Sequence, residues 1–129
     1  LYINIFVGMA LAEKKIQLNS NGLAWRPNLY IGDIPIVLNA VLNCSFDKPT
    51  VINIGNHKSN LRVLDVVEII KDINNDVFVS VLESGGSSLY RDQYVTNKKD
   101  ERSYKVDFSK MKCLLGEDMC STNLTYMTY

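Results

Sequence analysis

The sequence has no surplus of either charge. Its 14 Lys and Arg balance 14 Asp and Glu, and the pI is about 6.8. Bulk electrostatics therefore gives no case for nucleic acid or an anionic membrane as partner. No apolar run approaches the roughly 20 residues of a membrane helix. Three cysteines, Cys44, Cys113 and Cys120, are too few and too irregularly spaced for a complete disulfide framework. With one histidine and no CxxC pair, zinc is not expected either. Free thiols in a reducing, cytoplasmic compartment are the plain expectation. Two N-x-S/T matches, at Asn43 and Asn123, carry meaning only in a secreted chain. The opening "LYINIFVGMALAEKK" has its charges after its apolar part, the reverse of a secretory leader, and no initiator Met precedes it. The chain reads as a piece of something longer. It shows no internal repeat or low-complexity tract.

What is present fits one ordinary core. The 129 residues are 47% apolar and 22% charged. Ile3, Phe6, Val7, Ala10 and Leu11 recur at helical spacing and predict a first helix to about Lys14. "IQLN" (Ile16 to Asn19) alternates like a strand, "SNG" (Ser20 to Gly22) is turn chemistry, and "NLYI" reads as a second extended piece. Asp33 suits an N-cap, with Pro35 in the first turn and Ile34, Val37, Leu38, Val41 and Leu42 as the apolar stripe. Val51 to Gly55 reads as a strand feeding the loop "NHKSN". Ser59 or Asn60 is expected to cap a helix whose buried stripe is Val63, Val66, Val67, Ile70 and Ile73. Val77 to Leu82 is the clearest strand, and Ser84 to Ser88 a flexible loop. "RSYKVDF" reads as extended. Asp107 is placed to cap a last helix that stops at Gly116. Helices alternate with short strands, an α/β pattern in one domain. The tail, residues 117–129, has no clear period.

Four segments carry a resemblance. "GLAWRPNLYIGDIPIVLNAVL" is similar to the G-x-x-W-R-P-x-x-(H/Y)-V-x-D-(I/V) segment of NAD-dependent nucleotide-sugar epimerases and dehydratases, the extended short-chain dehydrogenase/reductase family. "INIGNHKSNLRVLDVVEII" resembles its x-N-x-G strand end, polar loop and following helix. "DERSYKVDFSKMKCLLG" resembles a late D-x-R-x-Y-x-V-D-x-S-K segment. The opening "NIFVGMALAEKKIQL" fits the helix and strand before the arginine. The order agrees from about Ile3 to Gly116. The resemblance implies the C-terminal, substrate-binding part (1–116) of a Rossmann-type fold. It also implies a parent enzyme, an isomerase or lyase that moves hydride between a sugar carbon and NAD. The family's G-x-x-G-x-x-G cofactor turn is absent, and its Y-x-x-x-K pair lies before the point at which this chain opens. Tyr94 and Lys98 match that spacing, but they fall after the x-N-x-G segment and read as coincidence. The resemblance implies a nucleotide-diphosphate sugar as ligand and the remaining Rossmann half as partner. A homodimer through the apolar face is a further expectation. It predicts no NAD on this chain by itself and no catalytic residue within it. The alternative is a non-catalytic nucleotide-binding or structural module of the same fold.

By the same resemblance, Arg26 would hold the diphosphate, a task suited to a guanidinium's fixed fork of donors. The competing reading pairs Arg26 with a carboxylate such as Asp33. Tyr30 could flank the ligand or be a half-buried strand tyrosine. Asn53 could bond a phosphate or ribose oxygen, or satisfy a turn. Arg102 could close over the nucleotide, or form an ion pair with Asp100 or Asp107. Asn97 or Lys98 stands where many relatives carry another arginine. Asn4 sits where the family often has an asparagine facing the nucleotide. His57 reads as solvated, Gly55 as a tight turn, and the Lys14–Lys15 and Lys98–Lys99 pairs as surface.

Overall fold

The computed structural model describes residues 2–82, 88–90 (backbone), 100–116 and 119–120. Tyr94, Asn97, Lys98, Lys99 and Asn123 lie outside the described residues, as does most of the tail. The chain divides into two compact units. One comprises Leu1–Arg26 and Arg62–Tyr104, the other chiefly Pro27–Leu61 and Lys105–Met127.

In the first unit, α1 (Tyr2–Glu13) buries Phe6 and Ala10 and packs on β1 (Lys15–Leu18). Ile16 and Leu18 of β1 are buried, as the alternation predicts, while Leu11 of α1 faces outward. The short strands β2 (Trp25–Pro27) and β3 (Asn60–Arg62), where the chain passes from one unit to the other, form a two-stranded sheet of their own. The extended piece expected at "NLYI" is thus displaced to "WRP". The chain instead turns at Tyr30, whose carbonyl accepts from Asp33 N–H at 3.0 Å.

After β3 the chain enters α3 (Val63–Ile73). Its cap is Arg62, not Ser59 or Asn60. Asp65 reaches back to Arg62 N–H at 2.7 Å and grips the Arg62 side chain, closing a box over the helix start. Val66, Val67 and Ile70 are buried as the period predicts, while Ile73 is partly exposed. The turn between β1 and β2, which packs against the start of this helix, requires Gly22. Its φ is 68°, and a Cβ there would lie 2.7 Å from Leu64 Cγ. The clearest predicted strand is β4 (Phe78–Leu82), parallel to β1, with Ile16 opposite Val79 and Leu18 opposite Val81. β5 (Ser88–Tyr90) runs antiparallel on its other edge.

The second unit is built on α2 (Asp33–Leu42) and α4 (Ser109–Leu115). Val37, Met111, Leu115 and Cys120 form its buried cluster, with Ala40, Val41, Ile52 and Ile54 packed against it. The α2 stripe is narrower than expected, because Leu38 and Leu42 point outward. Asp33 is not the N-cap. Gly32 takes that position without a side-chain bond, and Asp33 is buried in the first turn. Val51 to Gly55 forms no strand, for no described residue pairs with its backbone in a ladder. The following loop contains a short 3-10 turn, His57–Ser59, capped by the Asn56 side chain. "RSYKVDF" likewise has no regular ladder. Val106 is held instead by Asn60, whose amide both accepts from Val106 N–H (3.0 Å) and donates to its carbonyl (2.9 Å). Gly116 ends α4 at φ 93°, as the sequence predicts, but Asp107 is not the cap of that helix: Phe108 takes the N-cap position without a side-chain bond, and Asp107, one residue earlier, accepts from Ser109 N–H at 2.9 Å.

Candidate functional site

The chemistry-bearing residues of the first unit meet in one cleft of about 420 Å³. Tyr2, Ile5, Phe6 and Met9 of α1 form an apolar wall. Gln17, Asn19 and Ser20, from the end of β1 and its turn, supply polar groups, and Arg26, Asp100 and Arg102 bring the charges. An apolar wall facing a few convergent polar groups is the usual make-up of a small-molecule site.

Arg26 is placed by β2 and held on several sides. Nη2 donates to Asp100 Oδ2 at 2.6 Å, and Nη1 donates to the Trp25 carbonyl at 3.0 Å. The Tyr104 ring lies 5.8 Å from the guanidinium carbon, within range of a cation–π contact. Ser103 and Tyr104 are themselves tied to Trp25, by its N–H to Ser103 Oγ (3.1 Å) and by Tyr104 N–H to its carbonyl (3.3 Å). Asp33, the carboxylate offered by the sequence, is replaced in this role by Asp100, 74 positions away in the chain.

Asp100 also takes Arg102, whose backbone N–H and Nε both donate to Oδ1, at 3.0 and 3.3 Å. The ion pair foreseen for Arg102 with Asp100 is therefore formed. Both carboxylate oxygens are occupied, one by each arginine. The Asp100 carboxyl is held below its ordinary range, first by the Arg102 N–H bond, then by the Arg102 side chain and the two cationic charges, against the opposing effect of burial. The Arg26 and Asp100 side chains are 17% and 22% exposed, whereas that of Arg102 is 83% exposed.

The other expected site residues are placed differently. Asn4 is on α1 and exposed, but it does not line the cleft as its helix neighbours Ile5 and Phe6 do. Tyr30 and Asn53 belong to the second unit. Tyr30 is partly exposed in the turn before α2, and its ring lies against Gly32. Asn53 is exposed and donates to the Asp107 carbonyl at 3.2 Å, so its amide serves the backbone of a distant segment.

The second unit has a cleft of its own, of about 280 Å³. His57, Lys58 and Lys112 line it together with Phe108, Met111 and Cys120. His57 is not simply solvated: its Nε2 lies 2.9 Å from Asp107 Oδ1 and 3.2 Å from Phe108 N. Asp107 is lowered to about 2, chiefly by the Ser109 hydroxyl and N–H, then by His57. Cys120 is buried, and its thiol is raised by that burial and by the charge of Asp33. All three cysteines are free. Among the described residues, no group of three or more His, Cys, Asp or Glu could hold a metal ion, and no helix is long and apolar enough to cross a membrane.

Two solved structures share this arrangement of elements. One is TunA, an NAD-dependent NDP-hexosamine 5,6-dehydratase involved in tunicamycin biosynthesis. It matches with a TM-score of 0.66 and 21% identity, over 91% of this chain and 34% of that chain. The other is MoeE5, solved with UDP-glucuronic acid and NAD. It matches with a TM-score of 0.70 and 18% identity, over 97% of this chain and 38% of that chain. The chain has the fold of a part of these proteins. Its fold class is the expected one, α/β, with the fold of a portion of these two proteins. It spans roughly a third of the length of each. No family model and no curated protein matches the sequence.

The starts of α2, α3 and α4 do not suit an NAD pyrophosphate. Such a group sits on a helix N-terminus, where free N–H groups and the positive end of the helix dipole receive it. Here a carboxylate already stands at three of those ends, Asp33 at α2, Asp65 at α3 and Asp107 before α4. A second anion would be repelled at each.

Proposed function

We propose that this chain is the nucleotide-sugar-binding part of an NAD-dependent sugar epimerase or dehydratase, and that the Arg26–Arg102 cleft receives the diphosphate of the nucleotide sugar. The observation that carries the reading is the convergence of these two arginines, far apart in the sequence, on one cleft with an apolar wall. A diphosphate carries paired anionic groups, and two guanidiniums offer forks matched to them. The comparisons support the same class of ligand, since TunA acts on an NDP-hexosamine and MoeE5 was solved with UDP-glucuronic acid. On this reading the hydride chemistry belongs to residues and an NAD site outside this chain. The chain by itself is inactive, and the whole protein works in the cytoplasm.

Calorimetric titration with a panel of UDP- and dTDP-sugars tests the proposal. The expected result is saturable binding of at least one of them, weakened tenfold or more by Arg26→Ala. Equal affinity in wild type and Arg26→Ala, or no binding of any nucleotide sugar to the chain within its whole protein, would overturn it. The single tryptophan, Trp25, adjoins Arg26 and provides a fluorescence signal for the same titration.

A further inference from the structure

The charge pattern of the cleft contains a feature that simple phosphate capture does not need. Arg26, the more buried arginine, already has an anion on it. Asp100 Oδ2 lies 2.6 Å from Nη2, and the Trp25 carbonyl takes Nη1. Arg102 is only lightly engaged. Its Nε meets Asp100 Oδ1 at 3.3 Å, and its terminal nitrogens donate to no described residue. Among the described residues lining the cleft, two cations and one carboxylate leave a net single positive charge, presented by the exposed Arg102.

A ligand with one anionic group can be satisfied by Arg102 and gains nothing from Arg26, which stays neutralised. A ligand with two linked anionic groups can engage Arg102 with one and compete with the Asp100 carboxylate for Arg26 with the other. Linking the groups makes the second contact intramolecular, at high effective concentration, so displacement becomes favourable for that ligand class. Specificity of this kind works by penalising the wrong ligand as well as by attracting the right one.

We propose that Asp100 sets which anions this cleft accepts: its carboxylate stands on Arg26 as a built-in counter-ion, and a diphosphate displaces it where a single phosphate does not. The inference rests on reading the cleft as a phosphate site. It adds a specificity-determining residue to that site.

The test titrates inorganic phosphate and pyrophosphate into wild type, Asp100→Asn and Arg102→Ala. Asparagine keeps an oxygen for the Arg102 N–H and Nε but removes the charge on Arg26. Wild type is expected to bind pyrophosphate at least tenfold more tightly than phosphate. Asp100→Asn is expected to gain at least tenfold for phosphate, with the pyrophosphate-to-phosphate ratio falling several-fold. Arg102→Ala is expected to weaken both. Asp100→Asn binding both probes more weakly would overturn the proposal, because the carboxylate would then only position Arg26. An unchanged ratio, or no pyrophosphate binding by wild type, would also overturn it.

A measurement on wild type guards against a variant that fails to fold. The Asp100 side-chain carboxyl ¹³C resonance should move on saturation with pyrophosphate and stay in place with phosphate; no movement with pyrophosphate counts against displacement. Neither probe carries a sugar or a base. Pyrophosphate selectivity governed by Asp100 without any nucleotide-sugar binding would end the proposed function and leave this inference standing. Nucleotide-sugar binding indifferent to Asp100→Asn would do the reverse.

Discussion

Asp107 shows how one side chain can define a local structure. Its carboxylate collects the Ser109 N–H, the Ser109 hydroxyl and His57 Nε2, and it titrates near 2 as a result. A carboxylate whose pKa is lower in the folded state contributes stability that is complete above its unfolded value, about 3.9, and is lost as pH falls through the folded value. The expected outcome is an Asp107 carboxyl NMR titration with its midpoint near 2, and a small loss of stability between about pH 4 and pH 2. Ser109→Ala should move that midpoint upward more than His57→Ala does, since the hydroxyl is the larger cause. Gly55 makes a second residue-scale case. Its φ is 154°, and an added Cβ would meet the Phe108 ring at 2.5 Å, so strain and overlap coincide. Gly55→Ala is expected to destabilise by about 1–3 kcal/mol in urea titration. The sequence reading of this glycine as a tight backbone turn anticipates the conformation, although the aromatic neighbour comes from a segment far along the chain.

Elements with a strong period and a local closing device were the most legible. α3 combines a regular stripe with the Asp65–Arg62 box, so neighbours in sequence settle its start and its buried face. Asp65→Ala should lower thermal stability, and helical content by circular dichroism should fall before the rest of the fold is lost. The Asp65 carboxyl is held low by the Arg62 side chain, and that support is lost as pH falls below the ordinary carboxylate range. β1 was legible because apolar Ile16 and Leu18 alternate with polar residues, and β4 because its short run is rich in Val and Phe. Ile16 is fully buried at the heart of that pair, and Ile16→Ala is expected to cost about 2–5 kcal/mol. The expected strands at "NLYI" and Val51 to Gly55 went unrealised. Alternation and β-branching make a segment suitable for a ladder, but a strand exists only where another backbone lies alongside. "WRP" has such a partner in β3, and "VINIG" has none among the described residues.

At the scale of the whole molecule, the proposed division of labour between this chain and the rest of its parent has two consequences. Purified chain should turn over no UDP- or dTDP-sugar in the presence of NAD, measured by product chromatography; turnover would remove the idea that the chemistry lies elsewhere. Apolar side chains such as Leu11, Ile31, Leu42 and Val51 are largely exposed. The isolated chain should therefore bind an apolar-surface dye and self-associate as concentration rises. A strictly monomeric chain that binds no dye would argue against an apolar face made for a partner.

By itself the sequence determined the α/β class, the stripe of α3, the β1 and β4 strands and the stop at Gly116. Each of these depends on residue type or on spacing within a few turns of chain. The partner of Arg26 was decided only by tertiary structure. Asp33 is nearer in sequence, yet it is buried in the first turn of α2, while Asp100 reaches Arg26 at 2.6 Å. The same holds for Asn53, whose amide goes to the Asp107 carbonyl, and for His57, whose exposed ring meets Asp107. Local spacing can say that a charged or amide group will seek a partner. Which partner it finds depends on the packing that brings distant segments together, and no local pattern carries that information.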